Sequence, residues 1–409
     1  MFYYCIKLLA RCSLLFFFRR KITCGFPLHT LRGPAIIASN HPNSMLDAVV
    51  IACQCKQPVH FTIRSDMFNN PLFRLLLKFL NGIPVYRVSE EKEKLRENFT
   101  SIDLCRNILK NGGIIIIFSE GITVHEWKLK PLKSGTAKIV HYALCDEQLR
   151  YTLQVAPVGL TYSDYEHPAK TLIVQSGEIF YPGRLPYNEH TGAWKQEFNA
   201  QLFQKLHSLV PALGTDKGKT KNLWQAILTN VTLRDNCNNL IKHIHHQGYL
   251  LSAQDFEPPL YQKLKRSFFP LHYADYYKSF AIAALLCIPA LAGFVLNSLF
   301  YFPVGVFARI KTKGTIFYDA LLFGLLTILY PVYIMLTSVL LDYFTSAPFW
   351  LWIFIIPFTG WCSTKFWMYM MKIKNYLILE PSERRYVQEL ITGTEVNNKK
   401  HQDIRSPFH

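Results

Sequence analysis

Two uncharged runs near the end of the chain constrain its fold most strongly. Residues 320–341 and 343–364 are each 22 residues long and contain no Asp, Glu, Lys or Arg. In a bilayer such a run must form a helix, because lipid offers the backbone no hydrogen-bond partner, and about 20 residues cross the hydrocarbon core. The sequence therefore predicts two transmembrane helices, separated by the charge of Asp342 and a tight turn near Pro348.

A third uncharged run, residues 279–308, is interrupted by Pro289, Gly293, Asn297 and Pro303. Lys and Arg concentrate on the cytosolic side of membrane segments. If all three runs crossed the membrane, one flanking group of basic residues would lie outside. A re-entrant segment or broken hairpin over this run keeps every basic group inside, so we predict a re-entrant segment.

The composition also points to a membrane. Half of the residues are apolar and 14% are aromatic, and 45 basic against 28 acidic residues give a formal charge of +17. This balance favours anionic phospholipid headgroups and phosphorylated substrates as partners. The chain has no recognition motif or basic repeat for nucleic acid, so we expect no nucleic-acid partner. Ten cysteines without a paired pattern fit a reducing cytosol, and Cys53 and Cys55 are expected to be buried thiols.

The sequence predicts five successive regions. Residues 1–24 are an interfacial amphipathic anchor, residues 25–186 an α/β domain with a mostly buried mixed sheet, and residues 187–277 a helical linker. Residues 278–372 form the membrane region, and residues 373–409 form a cytosolic tail. The α/β domain of such a chain would face the cytoplasm from a bacterial inner membrane or its equivalent.

Two of these regions have alternative interpretations. The first contains Lys7 and Arg11, one helical turn apart, and no cleavage site for a signal peptide follows. It is either an interfacial helix or a surface helix packed on the domain. The linker contains His243, His245 and His246 without an acidic or cysteine partner at ligand spacing, so we expect no metal there.

Apolar runs alternate with helical patterns within the α/β domain. The helix over residues 71–80 is apolar except for Arg74 and Lys78, and it either dips into the bilayer or packs in the core. Strands are predicted near residues 34–38, 59–64, 83–87, 113–118, 153–160 and 171–180, and helices near 44–54, 71–80, 89–110 and 134–146.

A histidine and an aspartate follow the first predicted strand of this domain. His41 stands just after the strand, and Ser44 to Asp47 resemble a capping box at the start of the next helix. This turn can bring Asp47 back to the imidazole, hold one tautomer and leave the other ring nitrogen free to accept a proton from an alcohol. By itself the pair would equally be a turn histidine beside a helix cap.

Three further segments follow in order along the chain. Residues 82–87 form a short strand that ends in Arg87. Residues 114–121 form a buried strand that ends in Glu120 and Gly121, and the chain then continues into a segment rich in lysine. Residues 155–160 form a strand that contains a proline.

These four segments resemble, in order and separation, the four motifs of the glycerolipid acyltransferase superfamily, whose bacterial PlsC-type members acylate glycerol phosphates. The resemblance covers roughly residues 30–182. It implies that His41 is the catalytic base, that Asp47 orients it, and that Glu120 with Gly121 positions the acceptor. It also implies a thioester donor, either acyl-CoA or acyl carrier protein.

The chain departs from the usual family pattern in two places. Five residues rather than four separate His41 from Asp47, which resembles the subgroup of fungal glycerol-3-phosphate acyltransferases and related bacterial membrane proteins. The third motif usually contains an arginine that helps to hold phosphate, and Ile122 and Thr123 follow the glycine here. The cations that can replace this arginine are Arg87, Lys128, Lys130 and Lys133.

The sequence therefore predicts a membrane-bound O-acyltransferase of phospholipid biosynthesis. Its acceptor is 1-acyl-sn-glycerol-3-phosphate or glycerol-3-phosphate, and the alternatives are another lipid headgroup hydroxyl or a non-catalytic lipid-binding membrane protein. The chain has no serine nucleophile elbow, so the acceptor hydroxyl is expected to attack the thioester directly. No metal or redox cofactor is expected.

Overall fold

The computed structural model describes residues 2–85, 94–165, 167, 169–185, 191–211, 228 and 273–392. Described residues within 1–212 and 300–335 form one compact unit, and those within 213–299 and 336–409 form another. The first unit contains the sheet. The second contains parts of the long C-terminal helices.

The described residues in the N-terminal part of the first unit form seven strands and seven helices. The strands are β1 Phe18–Gly25, β2 Ala35–Ser39, β3 Val59–Arg64, β4 Gly82–Val85, β5 Ile114–Phe118, β6 Gln154–Tyr162 and β7 Lys170–Ser176. The helices are α1 Phe2–Phe17, α2 Met45–Gln54, α3 Pro71–Phe79, α4 Lys94–Lys110, α5 Gly135–Leu144, α6 Glu147–Thr152 and α7 Thr191–His207. Two short 3₁₀ turns cover Ser65–Phe68 and Pro182–Arg184.

The strands form one sheet in the order β1-β7-β6-β2-β5-β3-β4. Neighbouring strands are parallel except β6 and β7, which are antiparallel, so the predicted mixed sheet is confirmed. The parallel strands β2, β5 and β6 end at one edge of the sheet, and β7 begins at that edge. In open sheets of this kind ligands bind outside the carboxyl ends of the strands. This edge is therefore where a site is expected.

The six predicted strands are present, but the sequence did not reveal β1. Phe18, Ile22 and Cys24 point into the core. The basic residues Arg19 to Lys21 instead suggested a segment at the membrane surface. β1 lies at the edge of the sheet, where charged side chains can reach solvent. The C-terminal bound of the predicted anchor over residues 1–24 is therefore wrong, because the helix ends at Phe17 and the sheet begins at the next residue.

The cations of α1 face the protein. The Lys7 ammonium donates to the Cys55 carbonyl at 2.7 Å, and Arg11 Nε donates to the Cys53 carbonyl at 2.8 Å. These carbonyls lie at the C-terminal end of α2, where a helix attracts cations. The side of α1 opposite Lys7 is apolar and exposed, since Phe16 keeps 62% of its surface. One face of α1 is thus packed on the domain, and its location at a membrane interface stays a prediction.

Helix α7 corrects the prediction of a linker over residues 187–277. Its residues Trp194, Phe198, Leu202 and Leu206 are buried in the core beside α5 and β6. Their spacing of three or four residues places them on one face of the helix. The α/β domain therefore extends at least to residue 207, and most of residues 208–272, including the three histidines, lies outside the described residues.

The long C-terminal helices are α8 Tyr273–Lys311, α9 Tyr318–Phe344, α10 Phe349–Ile378 and α11 Pro381–Thr392. Of the described helices, α8 and α9 are long and apolar enough to cross a membrane. The predicted turn near Pro348 separates α9 from α10. α10 starts at Phe349, six residues after the first residue of the predicted second span. α10 does not meet the same criterion, so its crossing stays a prediction.

The predicted re-entrant segment over residues 279–308 is wrong, because this run lies within one continuous helix, α8. The residues that suggested a break instead allow α8 to pack closely against α10. A Cβ on Gly293 would lie 1.9 Å from the Thr359 carbonyl oxygen, and Asn297 Nδ2 donates to the Ile356 carbonyl at 3.2 Å. Small residues and amides of this kind let apolar helices approach closely.

Asn40 joins the ends of two central strands. It follows β2, and its amide nitrogen donates to the Leu160 carbonyl at 2.9 Å, while its amide oxygen accepts the Leu160 N–H at 2.8 Å. The side chain is buried. Both bonds fix β2 against β6 at the edge where His41 lies.

We expect Asn40→Asp to lower the free energy of unfolding by about 1–3 kcal/mol, because the aspartate cannot donate to the buried Leu160 carbonyl. The measurement is thermal unfolding of the full chain in detergent by circular dichroism. The exposed Asn111→Asp serves as the matched control and should unfold like the wild type. Equal unfolding temperatures for the two variants would show that Asn40 does not stabilise this edge.

Candidate active site

The structure brings His41 and Asp47 into contact at the carboxyl end of β2. His41 Nδ1 lies 2.9 Å from Asp47 Oδ2, and the imidazole stacks on the Phe118 ring with centroids 3.9 Å apart. The His41 side chain retains 19% of its surface, while that of Asp47 retains none. The ring is thus held on one nitrogen and one face, and Nε2 is the nitrogen that can take a proton from a substrate.

Asp47 accepts two further hydrogen bonds. The Asn43 N–H donates to Oδ2 at 2.7 Å, and the Tyr162 hydroxyl donates to Oδ1 at 2.7 Å. Burial, together with the neighbouring Asp47 carboxylate, raises the pKa of Tyr162 well above its usual value. Tyr162 is therefore a permanent donor, and the three donors offset the cost of burying a carboxylate.

The turn between His41 and α2 is strained and differs from the predicted capping box. The Ser44 side chain makes no capping bond, and Ser44 has φ 53°, which is unusual for a residue with a Cβ. The carboxylate of Asp47 reaches back to the Asn43 N–H instead. Strain of this kind persists where the surrounding contacts hold the backbone, and here those contacts hold the histidine turn.

Glu120 lies at the end of β5, the strand beside β2. Its Oε2 accepts the His41 N–H and its Oε1 accepts the Lys130 N–H, each at 2.8 Å. Burial raises the pKa of Glu120, and the N–H groups of Lys130 and His41 oppose that rise. In this structure Glu120 links the backbone of His41 to the backbone of Lys130.

Gly121 and Lys133 lie together beyond Glu120. Gly121 has φ +67°, and a Cβ there would lie 3.0 Å from Lys133 Cγ, so the turn requires a glycine. The Lys133 N–H donates to the Ser119 carbonyl at 2.8 Å, and its side chain is exposed just before α5. An exposed ammonium beside a helix start can hold an anion.

The other two lysines of this segment both contact an acid. Lys128 Nζ lies 3.5 Å from Glu126 Oε2, and the Lys130 ammonium donates to the same oxygen. Of the four cations suggested as phosphate ligands, these two are thus paired with a carboxylate. Arg87 lies outside the described residues, so its role stays a prediction.

The structure offers no metal cluster of His, Cys, Asp and Glu among the residues it describes. Cys53 and Cys55 are buried, and burial raises the pKa of these thiols to about 11 and about 12. A thiol that stays protonated is a poor metal ligand.

Sequence reasoning found the local pair but missed Tyr162, Asn43 and Phe118. Tyr162 is 115 residues from Asp47 along the chain and meets it only because β6 lies beside β2. The one sequence signal was a tyrosine at the end of an apolar strand. Asn43 bonds Asp47 through its backbone N–H, and almost every residue type has this group, so the sequence could not indicate the bond.

One comparison with known proteins, the family model, agrees with the motifs. Residues 21–161 match the family model described as Acyltransferase. Among solved structures, the chain is similar to the crystal structure of the 1-acyl-sn-glycerophosphate acyltransferase PlsC from Thermotoga maritima. The identity is 17% and the TM-score 0.35, over 49% of this chain and 78% of that chain. No curated protein matches the chain.

The four motifs in their order and the match to the family model assign residues 21–161 to one family. This part of the chain is an acyltransferase domain.

Proposed function

We propose that this protein transfers a fatty acyl chain from a thioester to the hydroxyl of a glycerol phosphate, with His41 as the base. The observation that carries the proposal is the 2.9 Å contact between His41 Nδ1 and the buried Asp47. Nε2 removes the proton of the acceptor hydroxyl as its oxygen attacks the thioester carbonyl. The C–O bond forms, the C–S bond breaks, and the imidazolium returns the proton to the leaving thiolate.

Asp47 supports this step by orienting the imidazole and stabilising its charged form. The negative charge of Asp47 is stabilised by hydrogen bonds from the Asn43 N–H and the Tyr162 hydroxyl. The carboxylate can therefore remain ionised while the histidine gains a proton. Glu120 holds the His41 backbone, and we propose that it also defines the place of the acceptor glycerol together with Gly121.

The acceptor is 1-acyl-sn-glycerol-3-phosphate or glycerol-3-phosphate, and the donor is acyl-CoA or acyl carrier protein. Lys133 is the described cation best suited to bind phosphate, because it is exposed next to Gly121 at the start of α5. Lys128 and Lys130 already share Glu126, which weakens them as phosphate ligands. Arg87 remains a predicted second ligand.

We propose a membrane location with the domain on the cytosolic side. α9 is long and apolar enough to cross a bilayer, and Arg309, Lys311 and Lys313 precede its apolar core. The first turn of α9 is bonded to the α/β domain through Asp319 and Lys170. The domain and these basic residues would thus share one side of the membrane, which the positive-inside rule identifies as the cytosol.

A second candidate is acylation of a lipid headgroup without phosphate. It is favoured by the missing arginine of the third motif, where Ile122 and Thr123 stand. It is also favoured by the engagement of two of the lysines with Glu126. The acceptor of this activity would be a neutral or amine-bearing lipid with a hydroxyl.

We expect His41→Ala to lower acyl transfer about 10²–10⁴-fold, because the hydroxyl loses its base. Purified wild type and variant in detergent are given labelled acyl-CoA or acyl carrier protein, with glycerol-3-phosphate and 1-acylglycerol-3-phosphate side by side. Product from the wild type alone supports the base and identifies donor and acceptor.

His167→Ala is the matched control for this experiment. His167 Nδ1 lies 2.8 Å from Asp164 Oδ2, so the control also breaks a histidine–aspartate contact of the same domain. Its activity should equal that of the wild type. Full activity in a folded His41→Ala protein would refute the proposed base.

We expect Lys133→Met to raise KM for the phosphorylated acceptor roughly tenfold or more, because one charge-assisted hydrogen bond to phosphate is lost. Unphosphorylated acceptors should react equally with both proteins. Lys138→Met, which removes an exposed lysine from α5, is the control. Activity that ignores the phosphate in the wild type and survives both Lys133→Met and Arg87→Ala would favour the second candidate.

A further inference from the structure

A buried acid from the C-terminal part of the chain reaches the turn that carries His41. Asp319 lies in the first turn of α9 and has no exposed surface. Its Oδ2 accepts a hydrogen bond from Asn43 Nδ2 at 2.9 Å and forms an ion pair with the buried Lys170. All three residues belong to the first compact unit.

Asn43 is the direct link from this acid to the catalytic pair. Its side chain donates to Asp319, and its backbone N–H donates to Asp47 Oδ2, the oxygen that contacts His41. The next residue, Ser44, has a strained backbone. A turn in such a conformation needs outside contacts to hold it, and Asp319 supplies one at the residue before the strain.

Lys170 and Tyr162 form a second connection between Asp319 and Asp47. Lys170 begins β7, and its ammonium lies 5.8 Å from the ring centroid of Tyr162, whose hydroxyl donates to Asp47. Phe323, one turn after Asp319, packs edge-on against Phe17 with centroids 5.2 Å apart. The start of α9 therefore contacts both the loop that contains Asn43 and the strand β7, close to Asp47.

We propose that Asp319 is a positioning residue for acyl transfer. It fixes Asn43 so that the Asn43 N–H stays on Asp47, which in turn keeps the imidazole of His41 aligned. The inference rests on the proposed function in that His41 is taken as the base. It extends the active site beyond the acyltransferase domain, to a helix about 160 residues after the family match ends.

A plain structural ion pair would be the simpler role for Asp319 and Lys170. Removing one partner of a buried pair leaves an uncompensated charge and destabilises any fold, so single variants do not separate the two roles. Two double variants do. Asp319→Asn with Lys170→Met removes both charges and keeps an oxygen acceptor for Asn43 Nδ2, whereas Asp319→Leu with Lys170→Met also removes the acceptor.

We expect the double variant with Asn to keep kcat within a few-fold of the wild type. The double variant with Leu should lose roughly 10–100-fold in kcat with little change in KM, because a misplaced catalytic group slows the reaction without changing substrate binding. Asn43→Ala cuts the same link while leaving the ion pair in place, and it should match the Leu variant. Asp342→Asn, at the exposed far end of α9, is the control and should be fully active.

The same proteins are also treated with diethyl pyrocarbonate, and modification of His41 is followed by peptide mass spectrometry. The reaction needs no substrate, so it tests positioning even if no acceptor is acylated by the wild type and the proposed function fails. His41 should react several-fold more slowly in the Leu double variant and in Asn43→Ala than in the Asn double variant. Equal modification rates and equal kcat across folded variants would overturn the proposal.

Discussion

The buried carboxylate of Asp47 is the group on which the arrangement of this domain depends. It has no exposed surface, and an unpaired charge in that position would destabilise the fold strongly. Three donors surround it, from His41, Asn43 and Tyr162. Because they come from the end of β2, from the following turn and from the end of β6, the requirement to bond one carboxylate fixes three segments relative to each other.

The sheet makes this convergence possible. β2 lies between β5 and β6 and runs parallel to both, so His41, Glu120 and Tyr162 emerge at the same edge. The reversal of β7 brings Lys170, its first residue, to that edge as well. The two hydrogen bonds between the buried Asn40 side chain and the Leu160 backbone then fix the position of the neighbouring His41 along β6. The chemistry of the edge thus follows from strand direction and register.

Features coded by neighbouring residues could be predicted from the sequence, and features made by distant ones could not. The six strands and the approach of His41 to Asp47 follow from apolar runs and a five-residue spacing. β1 was hidden by consecutive basic residues at a sheet edge, and α7 by its mixed polarity. Lys7 and Arg11 suggested lipid headgroups, yet they bind the carbonyls at the end of α2. Gly293 and Asn297 suggested a break and instead pack two helices together.

An acid at the start of an apolar helix, such as Asp319, can indicate a contact with another domain that a hydropathy profile does not reveal. A carboxylate in the first turn is favoured by the helix dipole, but its burial requires donors from elsewhere. Both of its donors, Asn43 and Lys170, come from the α/β domain. The folded position of α9 and the order of the histidine turn are therefore thermodynamically linked, since each supplies the partner that the other needs to be buried. Under the proposed function, an acyltransferase built this way would align its base only once its apolar helix is in place.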